Sequence, residues 1–259
     1  MTQLDAVEET PVWLEVNGES AVTWMCTPHQ LPELVVGWLY GEGYIDSRAD
    51  LISLRPCATE PGFWAEVPRE RYETVEGTER RRVLASGCGA VTTILGSLSS
   101  VPRRTTQPVL PDLPHTRKLF KELFAQGVRY NETGGIHAAA LTDGTTLLSH
   151  AEDIGRHNAV DKVLGAMVMA GTRPDDLMLL VTGRISAELA FKAARARLAV
   201  VATPSVPSSL AVEIAQAAGM VMIGRAVSGE PQVWTADGGR QTADGGRQTA
   251  DGSGPATDG

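Results

Sequence analysis

A chain of 259 residues, 42% hydrophobic and 21% charged, can bury one sizeable core or two small ones, which excludes disorder over its whole length. Its 23 basic and 31 acidic side chains leave a formal net charge of −8, which opposes general binding to a phosphate backbone, so no nucleic-acid partner is expected. No apolar run reaches the roughly 18 to 20 residues of a membrane helix, and the acidic start lacks the pattern of a secretory signal, so the expectation is a cytoplasmic protein with no membrane partner.

Residues 12–25 alternate apolar and polar side chains about Asn17-Gly18, a hairpin signal. Thr27-Pro28 is placed to open a helix in which Leu31, Leu34, Val35, Trp38 and Leu39 share a face, with Gly41 and Gly43 as its stop. Residues 50–84 hold short strand-like pieces, 63–67 among them, and a charged run at 79–82 suited to a solvated edge. Cys88 follows in Ala85-Ser86-Gly87-Cys88-Gly89, after a strand-like 82–85 and before 91–98, which has the pattern of a helix start. On a glycine-flanked turn at a helix N-terminus, unpaired N–H groups and the dipole favour thiolate over thiol, as a nucleophilic sulfur needs. The same residues also suit a small buried thiol on a tight turn. Cys26 at a strand end reads as packing and Cys57 after Pro56 as a loop residue. Three cysteines this far apart form neither a disulfide framework nor a C-x-x-C pair, so any cysteine chemistry rests on one thiol.

Prolines and small polar residues run from 99 to 114, which divides the chain into an N-terminal α+β part (1–100) carrying the Cys88 loop, a linker (101–115) and a second domain (116–234). In the second domain Thr116 caps a helix with Leu119, Phe120, Leu123 and Phe124 on one face and Gly127 as its stop. Residues 136–142 and 145–149 flank Asp143-Gly144 as a two-residue hairpin, and 158–170 form a helix ended by Gly171. Continuous apolar strands at 177–181, 198–202 and 220–223 are joined by helices at 186–197 and 208–218, which indicates a parallel sheet with right-handed crossovers and an α/β fold. From residue 235 the heptad TADGGRQ occurs twice and then decays. With no aliphatic side chain larger than alanine it cannot offset its ordering entropy, so 235–259 is expected to be a disordered tail.

Two further constellations carry chemistry. Thr133-Gly134-Gly135-Ile136-His137 precedes Glu152-Asp153-Ile154-Gly155-Arg156-His157-Asn158, then Asp161-Lys162. Carboxylates, a guanidinium and an imidazole crowded at the mouth of an apolar helix read as a site on a loop, although Asp153 or His157 can also serve only as a cap. Thr182, Gly183, Arg184 and Ser186 follow the first parallel strand, and Thr203 to Ser208 follow the second. Ligands of open parallel sheets bind beyond the carboxyl ends of the strands, and these residues suit a nucleotide-like anion on helix N-termini, with Ser186 and Ser208 as plain N-caps on the simpler view. No metal site is expected: a zinc deaminase needs H-x-E and P-C-x-x-C, whereas His137 is followed by Ala138-Ala139 and Pro56-Cys57 has no second cysteine. A hydrolase pairing Cys88 with His137 or His157 stays open.

At Glu9-x-Pro11, Val16-Asn17-Gly18, Thr27-Pro28, the run from Gly37 to Gly43, Ser86-Gly87-Cys88-Gly89, Thr133-Gly134-Gly135-x-His137, the block from Glu152 to Lys162, and Thr182-Gly183-Arg184, the chain resembles the formate dehydrogenase accessory sulfurtransferase (FdhD) family. The resemblance covers residues 9 to 234. It implies a cytidine-deaminase-like α/β fold, a mixed or parallel sheet with flanking helices and no zinc. It further implies that a cysteine desulfurase hands sulfur to this protein, which carries it as a persulfide to the molybdenum bis(pterin guanine dinucleotide) cofactor of formate dehydrogenase. The persulfide cysteine falls on Cys88, and the stretch for the guanine dinucleotides falls on Arg225, Ala226, Val227, Ser228, Gly229 and Glu230. His137, His157 or Arg156 would hold a thiolate or persulfide anion, Thr182, Gly183, Arg184 and Ser186 the phosphates, and the resemblance suggests a homodimer. Many members carry a second cysteine three residues after the first; here that position is Val91. The rival reading is therefore a chaperone that binds the molybdenum cofactor without moving sulfur.

Overall fold

The computed structural model describes residues 6–77, 83–84, 90–91, 98, 101–235, 240–242 and 247–248. Strands β1 (Thr10–Val16) and β2 (Glu19–Cys26) form the expected hairpin, with Asn17 and Gly18 both left-handed at φ 52° and 88°, as a tight primed turn requires. The Asn17 side chain donates to the Val67 carbonyl (3.1 Å) and accepts from the Val67 N–H (2.9 Å), fastening the turn to the neighbouring strand. With β3 (Ser53–Pro56) and β4 (Gly62–Glu66) the hairpin makes a four-stranded sheet in the order β2-β1-β4-β3, in which only β1 and β4 run parallel.

Helix α1 (Leu31–Glu42) starts later than Thr27-Pro28 suggests, because Gln30 is its N-cap and Pro32 lies in its first turn. Gly43 ends it in the left-handed region, while Gly41 is buried inside it. After α2 (Arg69–Glu76), β5 (Val83–Leu84) pairs antiparallel with β6 (Ala90–Val91). Val91 thus belongs to a strand where a helix was expected to start, and the remainder of that expected helix, residues 92–97, lies outside the described residues. Cys88, with Ser86, Gly87 and Gly89, lies outside the described residues, as does the charged run at 79–82.

The proline-rich stretch is strapped to the second half of the chain. The buried Arg104 guanidinium donates to the carbonyls of Arg197 and Asp175 and to Thr106 Oγ1, and the Arg104 N–H donates to the Ala218 carbonyl (2.9 Å). Helix α3 (Leu113–Gln126) is capped by Asp112, which accepts the His115 N–H at 3.1 Å. Thr116 sits within the first turn, its hydroxyl donating to the Asp112 carbonyl, so the predicted cap is displaced by Pro114 fixing an earlier start. Helix α4 (Val128–Thr133) follows directly.

Strands β7 (His137–Thr142) and β8 (Leu147–Asp153) are joined by residues 143–146 and not by a two-residue turn. Asp143 holds this longer loop by accepting from the N–H groups of Thr145 and Thr146 and from the Thr145 hydroxyl. Helix α5 (Arg156–Ala170) then leads to β9 (Met178–Val181), α6 (Ala187–Arg195), β10 (Val200–Ala202), α7 (Ser209–Ala218), β11 (Val221–Gly224) and β12 (Gln232–Trp234). In the large sheet the order is β12-β11-β10-β9-β7-β8, with β9, β10 and β11 parallel as expected and β7, β8 and β12 antiparallel to their neighbours. The fold is a mixed α/β arrangement of two mixed sheets with flanking helices. Where a disordered tail is expected, β13 (Arg240–Thr242), across the junction of the two repeat copies, and β14 (Arg247–Gln248), at the end of the second, extend the sheet edge.

Alternation along the strands divides the core. Ala138, Ala140, Met178, Leu180, Val200 and Ala202 pack with Leu119, Phe120 and Leu123 of α3. Ala139, Leu141, Leu179, Val181 and Val201 belong to a larger cluster with α1, α5, α6, α7 and the N-terminal sheet. Helices α1 and α5 cross backbone to backbone: a Cβ on Gly37 would lie 1.7 Å from the Asp161 carbonyl oxygen, and one on Gly165 1.9 Å from that of Glu33. Among the described residues no helix is long and apolar enough to cross a membrane.

Candidate functional site

The carboxyl ends of β9, β10 and β11 lie side by side, and the three loops that leave them are stitched together. Thr203 Oγ1 donates to the Gly183 carbonyl (2.7 Å), the Ala226 N–H to the Thr203 carbonyl (2.9 Å), the Arg225 N–H to the Ser205 carbonyl (2.8 Å) and the Ser208 N–H to the Ile185 carbonyl (2.9 Å). Ser186 and Ser208 cap α6 and α7, accepting the N–H groups of Leu189 and Ala211, so two helix N-termini open beside these loops. Arg184, Arg225, Ser228, Gly229 and Glu230 are exposed, Val227 is half-buried and Ala226 is buried. Arg117 of α3 donates to the Gly229 carbonyl at 2.9 Å, fixing the third loop.

Because β7 runs antiparallel to β9, with Ala139 opposite Val181, the start of β7 lies beside the loop that leaves β9. The Ala138 N–H donates to Thr182 Oγ1 (2.9 Å) and the Thr182 N–H to the Ala138 carbonyl (3.0 Å), which sets His137 beside Gly183. A Cβ at Gly183 would stand 3.2 Å from His137 Nδ1 and 3.4 Å from Arg156 Cδ, so glycine lets both side chains close on this loop. Burial, then the charges of Arg156 and His157, hold the His137 imidazole below its ordinary 6.5, with Asp153 pulling the other way. The half-buried His137 is on the wall of a cavity of about 520 Å³ that also takes in Phe124, Tyr130, Gly134, Gly135, Ile136, Thr182 and Pro204.

His157, in the first turn of α5, is buried against α6. Its Nε2 lies 3.3 Å from Ser186 Oγ and 3.1 Å from Glu188 Oε2, an ion-pair distance off the hydrogen-bonding direction. His157 Nδ1 has no hydrogen-bond partner among the described residues. Glu188 carried no signal in the sequence, where a carboxylate in a first helical turn reads as a dipole partner.

The rest of the Glu152 to Lys162 block turns away from these loops. Glu152 and Asp153 end strand β8, which corrects their expected placement on a loop: the polar density reflects buried pairing partners and not solvent. Lys162 Nζ, fully buried, donates to Asp153 Oδ2 (2.6 Å) and to the carbonyls of Thr27 (3.0 Å) and Glu152 (3.3 Å). Asp153 also accepts from the N–H groups of Thr27 and Gly155 and from Asn158 Nδ2. Lys192 Nζ lies 2.6 Å from both oxygens of Asp161, tying α6 to α5.

A sequence model of the FdhD/NarQ family matches residues 7–240. The chain belongs to that family. It is 35% identical over 239 residues to a sulfur carrier protein FdhD of Burkholderia mallei, with 86% of this chain and 85% of the relative covered. It is 33% identical over 219 residues to one of Staphylococcus aureus, with 84% and 82% covered. The crystal structure of a putative formate dehydrogenase accessory protein from Desulfotalea psychrophila superimposes with a TM-score of 0.68 at 22% identity, covering 88% of this chain and 87% of that one, and so shares the fold.

Of the residues singled out in the sequence, His137, Arg156, His157, Thr182, Gly183 and Ser186 converge, with Arg184 and the loop of residues 225–230 at the surface beside them. The persulfide candidate Cys88 lies outside the described residues. Cys26 is buried, its thiol pushed up to about 12 chiefly by burial and next by Asp153, which disarms it as a nucleophile. Cys57 is half-buried beside Thr59, whose hydroxyl, 3.3 Å away, and backbone lower its thiol below the usual range.

Proposed function

We propose that this chain is a sulfur carrier in formate dehydrogenase maturation. It takes sulfur from a cysteine desulfurase as a persulfide on Cys88 and presents it to the molybdenum bis(pterin guanine dinucleotide) cofactor, which binds as substrate at the strand-end loops. Kinship to proteins named sulfur carrier supports the carrier role. The observation that carries the cofactor half is the convergence of three stitched loops, two helix N-termini and the exposed Arg184 and Arg225 at the ends of parallel strands, a place suited to phosphates. The Cys88 thiolate attacks the terminal sulfur of the desulfurase persulfide, the donor cysteine leaves as thiolate, and Cys88 keeps the sulfur as a persulfide. With Val91 in place of a second cysteine, the handover proceeds directly from Cys88 and not through an intramolecular disulfide. Arg156 and His137, on either side of Gly183, are the groups set to hold a persulfide or phosphate anion, and His157 backs them from the interior. We place this activity in the cytoplasm and on a homodimer.

Val91 also favours a second reading, a chaperone that binds the cofactor and moves no sulfur. Incubation with a cysteine desulfurase and cysteine, followed by intact mass, separates the two. A sulfur adduct of about 32 Da, one step along the cysteine oxidation ladder, is expected on the wild type and absent from Cys88→Ala. If Cys88→Ala supports formate dehydrogenase as well as the wild type does, sulfur transfer is excluded and the chaperone stands.

A further inference from the structure

Helices α5 and α6 face each other through two rungs four residues apart. His157 Nε2 lies 3.1 Å from Glu188 Oε2, and Lys192 Nζ lies 2.6 Å from both oxygens of Asp161. All four side chains are buried. The Asp161 rung is balanced, one carboxylate against one ammonium group. The Glu188 rung is balanced only when the imidazole carries a proton: Glu188 Oε2 accepts no hydrogen bond among the described residues, and no other cation there stands within ion-pair distance of it.

A proton on His157 needs that carboxylate. The ring stands in the first turn of α5 and 3.3 Å from the Ser186 cap of α6, so the positive ends of two helix dipoles oppose its charge. Arg156 beside it on α5, Lys192 on α6 and His137 on β7 oppose it too, whereas Asp161 one turn further along α5 and Asp153 at the end of β8 favour it. Helix α1 brings no charge to this stretch, where it turns Gly37 and Gly41 toward Asp161. We propose that Glu188 is a positioning residue that keeps His157 as the imidazolium, so that a fixed positive charge stands beneath the strand-end loops beside a neutral His137. After burial and Arg156, the His157 charge is what holds the His137 imidazole below 6.5, so one carboxylate acts on both rings. The inference rests on the proposed function for the anion that this charge receives; the charge itself is set within the fold.

NMR titration of the imidazole nitrogens in the full chain tests it, with the two rings assigned through His137→Gln and His157→Gln. In the wild type His157 should be the imidazolium at pH 7. In Glu188→Gln, which keeps size and hydrogen bonding, His157 should lose its proton about one pH unit or more below the wild-type point, and the His137 transition should move up. A carboxylate that serves only the dipole of α6 would move neither ring. Calorimetry with inorganic pyrophosphate reads the consequence at the loops. At pH 7 its affinity should fall about tenfold in Glu188→Gln and stay within about threefold in Glu188→Asp, which keeps the charge. The gap should narrow as the pH falls and His157 regains its proton. A neutral His157 in the wild type at pH 7, a reading that needs no variant to fold, overturns the inference, as do unmoved titrations in Glu188→Gln. Moved titrations with unchanged pyrophosphate affinity overturn the positioning role. Pyrophosphate that does not bind the wild type removes the cofactor half of the proposed function, while the titrations still decide whether Glu188 sets the charge of His157.

Discussion

The block from Glu152 to Lys162 has two faces that look alike in sequence and differ in their partners. On one, Asp153, Asn158, Asp161 and Lys162 find partners deep in the protein, in the Thr27 backbone, in Lys192 and in each other. On the other, Arg156 and His157 lie with Gly183, Ser186 and Glu188 at the strand ends. The first face is scaffold: it clamps the end of β2 to α5 and α5 to α6. The second shapes a site. Polar density in a sequence thus marks where charge is buried, and only the direction of the partners tells function from clamp.

Breaking the clamp should have the largest effect. Lys162→Ala leaves the Asp153 carboxylate fully buried without its cation, which costs about 3–5 kcal/mol for a broken buried pair. Urea unfolding should show a loss of that order; a loss under about 1 kcal/mol, the worth of an exposed pair, would mean the clamp is not what holds β2 to α5. Next comes the crossing that carries the clamp. Gly37→Ala drives a methyl group into the Asp161 carbonyl, and the helices must part, at about 3 kcal/mol for an overpacked core. Thermal unfolding of this variant should fall well below wild type, whereas Gly134→Ala, which meets no atom within 4 Å, should lose only what its left-handed backbone demands.

These contrasts also explain what the sequence could show. The Asn17-Gly18 hairpin and the parallel strands β9 to β11 were legible because turn chemistry and apolar runs are local signals. Helix starts at Gln30 and Asp112 were misplaced by a few residues because Pro32 and Pro114, tolerated in a first turn, outweighed Thr27 and Thr116 as boundary signals. Thr27 proved to be a buried hub, its N–H and carbonyl engaged by Asp153 and Lys162, residues more than a hundred positions away. Glu188 was invisible for the same reason, its partner His157 lying 31 positions upstream on another helix. Phe124 reads as an ordinary helix residue and Tyr130 falls between the expected elements, and only their joint placement on the cavity wall distinguishes them.

The site face sharpens the comparison through binding and not stability. Arg184 is exposed beside the N-terminus of α6, so Arg184→Ala should leave unfolding within about 0.5 kcal/mol of wild type, as surface changes do. It should weaken GDP by roughly one to two orders of magnitude, the worth of a charge-assisted contact to phosphate. Calorimetry reads the affinity and intact mass reads the Cys88 persulfide, which should load as before because the desulfurase step needs no nucleotide. Unchanged GDP affinity would place the phosphates elsewhere and make Arg184 a surface residue.

The smallest effect lies in how acid acts on His137. Its imidazole is held below 6.5 by burial first and by Arg156 and His157 next, against the pull of Asp153, so the folded chain resists a proton that the unfolded chain accepts. Between the folded value and 6.5 the unfolded state binds more protons, and by linkage stability rises with pH across that window and falls on acidification through it. Above the window both states are neutral at this residue and it contributes no slope. His137→Gln keeps a side chain of hydrogen-bonding character without the titration, so its urea midpoint should hold a constant offset from wild type above the window. Below 6.5 the variant should gain on wild type as the pH falls. Parallel midpoints across the whole range would mean that His137 titrates alike folded and unfolded, and that neither its burial nor the neighbouring charges disfavour the imidazolium.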